Sequence, residues 1–159
     1  MNDEHVSYPA RIVIDANTLI SATLTPGITR EMLLTTEDEL YSPAFIRDEL
    51  DKHRAVLRDK SGLADADLDT LLDALFTPIE TLPEDRTTRY HKQAEQAMDE
   101  IDVKDALYVA AALELNAAIW SNDPDLHEQT LTPALTTEAM VARVRQAQRE
   151  TGDASDREE

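Results

Sequence analysis

The apolar residues of this chain fall into two patterns. Short unbroken runs occur at "RIVID" (11–15), "ELYS" (39–42), "PIETL" (78–82) and "AAIW" (117–120). Their length and composition suit short strands, the first and last of them buried. Between the runs, apolar residues recur every three or four positions, the period of a helix with one buried face. The spacing predicts a short helix at 17–23 and another from Pro26 or Thr29 to Leu34. It predicts a single helix over 43–58, capped by Ser42 with Pro43 at the first helical position. "ADADLDTLLDALF" places Leu68, Leu71, Leu72 and Leu75 on one side of a further helix. Residues 86–98 read as a polar helix and 103–115 as a buried one. "TTEAMVARVRQAQRE" reads as the last helix, preceded by a strand near 131–133. Strands alternating with helices predict an α/β fold with a parallel sheet. Sites in such sheets lie beyond the carboxyl ends of the strands. The pattern supports one domain over 11–148, a flexible N-terminus at 1–10 and a flexible acidic tail at 149–159.

Composition narrows the class. The chain has 159 residues, no cysteine and three glycines. It has no disulfide framework, thiol nucleophile or Cys-based zinc site, and neither glycine-rich phosphate loop occurs. "MNDEHVSYPA" has no basic start or apolar stretch, and no apolar run is long enough for a membrane span. A cytoplasmic protein that does not engage membranes is expected. Net charge is −18, from 33 acids against 15 bases. Only Lys52, Lys60, Lys92 and Lys104 are lysines. Such self-repulsion burdens a compact fold in dilute buffer. At ~1 M salt the screening length falls to about 3 Å, which lifts most of that cost. The composition therefore reads as halophilic.

Four acids sit where a site would form. Asp15 closes the first strand, with Asn17 and Thr18 just behind it. Asp105 lies in the first turn of the buried helix, where it also suits support of that turn, with Asp102 as a cap. Asp123 follows the strand that ends at Trp120, in "SNDPD", and equally suits a cap ahead of Pro124. Glu49 shares a helix face with Ile46, Leu50 and His53, while Asp48 and Asp51 point away. If all four converge, some must take up protons or a cation must sit among them. All-oxygen ligation suits Mg²⁺ or Mn²⁺. The histidines are scattered without metal-ligand spacing, and no Ser-His-Asp arrangement is present.

"VIDANTLISA", the inward Glu49 and "DVKDALYVAAALELNAAIWSNDPDL" together resemble the PIN-domain nucleases, including the VapC-type toxins of toxin–antitoxin pairs. The resemblance spans roughly residues 11 to 140. It implies a three-layer α/β/α sandwich with a parallel sheet of about five strands, and metal-dependent hydrolysis of phosphodiesters, usually in RNA. It implies that Asp15, Glu49, Asp105 and Asp123 form the catalytic cluster, with Asp15, Asp105 and Asp123 on the metal. Asp102 or Asp125 would add an outer ligand, and Asn17 and Ser121 would orient carboxylates or water. Lys104, Arg47 and Arg54 are the candidate substrate cations. A toxin would bring a small antitoxin partner and a homodimer formed through apolar helix faces. "DLDTLLDALF" suits such a face or the core. Two other readings compete. One is a non-catalytic PIN-like domain that binds RNA or protein. The other is a phosphatase of the haloacid-dehalogenase type, disfavoured because its general acid would stand at position 17, which is Asn.

Overall fold

The computed structural model describes residues 6–98 and 103–158. The first half of the chain runs β1 (Arg11–Ile14), α1 (Ala16–Leu24), α2 (Ile28–Thr35), β2 (Glu39–Pro43), α3 (Ile46–Lys52), α4 (Arg54–Ser61), α5 (Asp65–Phe76) and β3 (Ile79–Leu82). The second half runs α6 (His91–Ala97), α7 (Val103–Leu115), β4 (Ala118–Trp120), α8 (Pro124–Glu128), β5 (Ala134–Leu135) and α9 (Thr137–Glu158). The five strands form one parallel sheet in the order β3-β2-β1-β4-β5. Successive strand residues face opposite sides. Ile12, Ile14, Ala118 and Trp120 pack with α1, α2, α3, α5 and α9. Val13 and Ile119 pack with α6, α7 and α8. Helices cover both faces, as an all-parallel sheet requires, and the fold is a three-layer α/β/α sandwich.

The sheet changes what residues 42–61 do. Ser42 and Pro43 are not a helix cap and first turn: both belong to β2, paired with Thr81 and Leu82 of β3. Ser42 is fully buried, and its Oγ donates to Ile14 O at 2.8 Å. The helix expected over 43–58 starts at Ile46 and breaks at His53, whose ψ of 8° is not helical. Residues 86–98 likewise divide. Two 3-10 turns, Glu84–Arg86 and Thr88–Tyr90, precede α6. The strand expected near 131–133 lies at Ala134–Leu135, where Trp120 offers a ladder partner. Leu68, Leu75 and Phe76 of α5 are buried, with Leu71 and Leu72 packed partly against the same core. The apolar face of that helix is therefore spent inside the domain.

Residues 6–10 lie against α9, and α9 itself runs past residue 148, where the sequence pattern ends the domain. The fastening is Arg143. Its guanidinium forms two 2.9 Å bonds to Asp38, whose side chain is fully buried. It also donates to Val6 O at 3.2 Å and Ser7 O at 2.5 Å. Asp38 in turn accepts from Ala10 N at 2.7 Å.

Candidate active site

The chain leaves β1 toward β2 on one side and returns through β4 on the other. β1 and β4 are therefore the switch point of the sheet, where a crevice opens beyond their carboxyl ends. Asp15 sits there. It is the residue after β1 and the N-cap of α1, and its Oδ1 accepts from Thr18 N at 2.9 Å. Ser121 Oγ, just beyond β4, donates to Asp15 Oδ2 at 2.5 Å and accepts from Asp123 N at 2.9 Å. One hydroxyl thus couples the two strand ends. Thr18 Oγ1 adds a bond to Trp120 O at 3.2 Å. Asp15 is 2% exposed. Burial pushes its carboxyl above the ordinary range, the Ser121 and Thr18 bonds oppose that rise, and the charge of Asp123 adds to it.

Three further acids meet beside it. Asp105 lies in the first turn of α7, Asp123 caps α8, and Asp125 follows Pro124 in that helix. Each offers a carboxylate oxygen, and those oxygens lie within 4.8 Å of one another. Asp123 Oδ1 also accepts from Asp125 N at 3.0 Å, which locks the turn that presents them. Two carboxylates about 5 Å apart repel by roughly 3 kcal/mol at an effective dielectric of ~20. The donor set is all oxygen, with no imidazole or thiolate among the three. It fits a hard divalent cation such as Mg²⁺ or Mn²⁺.

Glu49 is engaged by ammonium groups. It lies on α3 with its side chain 13% exposed, and its Oε1 takes Lys104 Nζ at 2.7 Å and Lys52 Nζ at 3.3 Å. The Lys104 bond leads in holding the Glu49 carboxyl below its ordinary range, against the opposing effect of burial. Asn17 is exposed on the first turn of α1. The bonds that orient Asp15 come instead from Thr18 N and Ser121 Oγ. Asp102 lies outside the described residues. Arg47 sits over the Phe76 ring, 4.2 Å from its centroid. Arg54 is held by Asp69 at 2.6 Å and by Asp65. His53 is exposed, and His127 Nε2 donates to Ser121 O at 2.6 Å, bracing the same loop.

Two features had escaped the sequence pattern. Tyr108, on the buried face of α7, accepts Ala16 N–H at 3.0 Å and so anchors the start of α1 beside Asp15. Burial pushes its hydroxyl far up, the Ala16 bond opposes, and the charges of Asp15, Asp105 and Glu49 add. Its signal was a polar tip on an apolar helix one turn from Asp105. The second is a groove lined by Ile28, Asn122, Val141, Arg145 and Arg149, with Glu138 on its wall. It begins one residue from Asp123. Neither arginine meets a carboxylate among the described residues; Arg149 bonds only Gln146, at 3.2 Å. The two arginines are four apart on α9 and therefore share a helix face.

Comparison with known proteins bears on the fold and the family. No curated protein matches the chain. Among solved structures, PAE2754 from Pyrobaculum aerophilum superposes with a TM-score of 0.61 over 89% of this chain and 93% of that one. Identity is 14%, so the likeness shows the fold alone. The sequence model of the PIN domain matches residues 13–145, which takes in the crevice and every acid described above. PIN domains are generally nucleases that bind nucleic acid and typically use divalent metals. By that match, this chain belongs to the PIN-domain family.

Proposed function

We propose that the protein is an endoribonuclease that hydrolyses RNA phosphodiester bonds with Mg²⁺ or Mn²⁺. The observation that carries this reading is the convergence of Asp105, Asp123 and Asp125 within 4.8 Å at the switch point of the sheet. Those three would hold the cation, with Asp15 facing them from β1. When bound, the cation supplies Lewis acidity toward water and toward the phosphate oxygens. The chain's own groups do the rest. Ser121 and Thr18 keep the Asp15 carboxylate aimed and desolvated, so that it can accept a proton from a water in the crevice. Tyr108 and His127 hold the two loops that carry these groups. The half-exposed Lys104 faces the phosphate from α7.

Of the other cations named from the sequence, Arg47 and Arg54 already have intramolecular partners. Arg145 and Arg149 line the groove beside Asp123, and we assign them to the RNA backbone. Aromatic stacking has no broad platform here, so recognition rests on backbone contacts and shape. The direct test is cleavage of a structured RNA in molar KCl with Mn²⁺. Wild type should cut, and Asp105→Asn and Asp123→Asn should fall to the level seen in chelator. Undiminished cutting by either variant would sink the assignment.

The toxin role follows from the family resemblance, and it carries two partners. One is a small antitoxin; growth arrest on induced expression, relieved by the product of a neighbouring gene, tests it. The other is a second copy of the chain. With the α5 face inside the core, Ile28 and Leu34 of α2, Val56 of α4 and Val103 of α7 are the large apolar side chains left exposed for a dimer among the described residues. Sedimentation in molar salt tests that state.

A further inference from the structure

The acids named from the sequence differ in their partners. Asp105, Asp123 and Asp125 share a space, with Asp15 hydrogen-bonded through Ser121 to the Asp123 backbone. Glu49 is turned to ammonium groups instead. Its Oε1 lies 2.7 Å from Lys104 Nζ and 3.3 Å from Lys52 Nζ. The two lysines differ in kind. Lys52 is a neighbour one turn along α3 and is 64% exposed, a common surface pair. Lys104 comes from the first turn of α7 and is the residue immediately before Asp105. It therefore brings a positive charge to Glu49 from the same helix turn that carries Asp105.

We propose that the site holds a single divalent cation, on Asp105, Asp123 and Asp125, and that the Lys104 ammonium occupies the place of a second one. This rests on the metal-dependent reading above and specifies its stoichiometry. A second ion shared by Glu49 and Asp105 would sit against a fixed positive charge already bonded to the same carboxylate. An ammonium neutralises Glu49 but brings only donors and no open coordination position. The charge of Glu49 is thereby matched without drawing metal away from the trio. About half of the Lys104 side chain is also exposed to solvent. The acid on α3 acts in this arrangement as a positioning residue: it orients Lys104.

The test counts Mn²⁺ ions in molar KCl by calorimetry and by electron paramagnetic resonance, which reports coupling between paired ions. Asp123→Asn measures diffuse binding to the acidic surface. Wild type should bind one ion per chain with an uncoupled spectrum. Lys104→Met keeps the apolar stem and removes the charge; it should bind two, with a coupled spectrum. Lys104→Met/Glu49→Gln should return to one. Two ions in wild type overturn the proposal, as does one ion in Lys104→Met with melting unchanged. A second ion that survives in the double variant excludes Glu49 as its ligand and overturns it equally. Absence of any discrete site in wild type removes the metal-dependent reading itself, and the proposal with it. A single wild-type site unaltered in the lysine variant removes the proposal alone.

Discussion

Ser121→Ala isolates the hydroxyl that joins the two strand ends. Two bonds disappear: the one donated to Asp15 Oδ2 at 2.5 Å and the one accepted from Asp123 N at 2.9 Å. A hydrogen bond to a charged group contributes about 1.5–3 kcal/mol, and an orphaned, half-buried N–H costs roughly 1 more. The expected loss at pH 7 is therefore about 2–4 kcal/mol, and for a domain of this size that is a fall in melting temperature of roughly 5–15 °C. The loss must depend on pH. Burial raises the Asp15 carboxyl above its ordinary value of 3.8, so the folded state holds that proton more tightly than the unfolded chain does. Stability on this account falls as pH rises from the unfolded value through the folded one, and is flat above. The Ser121 bond lowers the folded value. Its removal widens the window and deepens the fall. Well below the unfolded value of 3.8, Asp15 is protonated in both states, and only a neutral bond worth about 0.5–1.5 kcal/mol and the orphaned N–H remain. Urea unfolding of wild type and variant at pH 7 and about one to two pH units below that value, in molar KCl, measures the difference. Equal losses at the two pH values would refute the coupling between Ser121 and an ionised Asp15.

Four other outcomes follow from the same structure. Asp15→Asn keeps a good cap for α1 and removes a buried charge, so the metal-free protein should melt higher at pH 7 while RNA cleavage is lost; a lower melting point counts against the raised carboxyl. Arg143→Met strands the Asp38 carboxylate in the interior and should cost about 3–5 kcal/mol, much of it recovered in Arg143→Met/Asp38→Asn; equal unfolding energies for wild type and the single variant would contradict the burial of that pair. Arg145→Ala/Arg149→Ala should raise KM for RNA several-fold with kcat nearly unchanged, and flatten its salt dependence; a fall in kcat alone would place those residues elsewhere in the reaction. With a net charge of −18, melting temperature should climb between ~0.1 and ~2 M KCl as the screening length shrinks; a scan that shows no climb argues against the halophilic reading.

The strands and helices of the sheet core were legible because burial imposes period: past the exposed Arg11, "IVI" and "AIW" have no polar position to hide, and both lie inside the sheet with helices on either side. Residues 42–46 were misjudged because Ser-Pro is a strong local helix start. The ladder to β3 and the buried bond from Ser42 to Ile14 outweigh it. The break at His53 has no proline or glycine to announce it. The positions of Asp15, Asp105 and Asp123 at element ends could be inferred from spacing. The partners could not. That Glu49 meets Lys104, that Arg47 covers Phe76 and that Arg145 and Arg149 share a groove with Asn122 all depend on contacts between elements far apart in sequence. The bonds that residues 6–10 make to Asp38 and Arg143 carry no local signal, because those partners are 28 and more residues away.

The pairing of β1 with β4 has a consequence for the order in which the site is assembled during synthesis. Asp15 and Ser121 are 106 residues apart, yet neither strand end is in place without the other. A ribosome that has delivered β1, β2 and β3 has made three of the five strands and only the Asp15 side of the crevice. β1 must wait as an open edge until the β4 segment clears the exit tunnel, and long-range pairing of that kind forms late and slowly. A nascent chain therefore lacks the crevice on which the proposed activity depends. The site is completed late, when the last third of the polypeptide closes on the first.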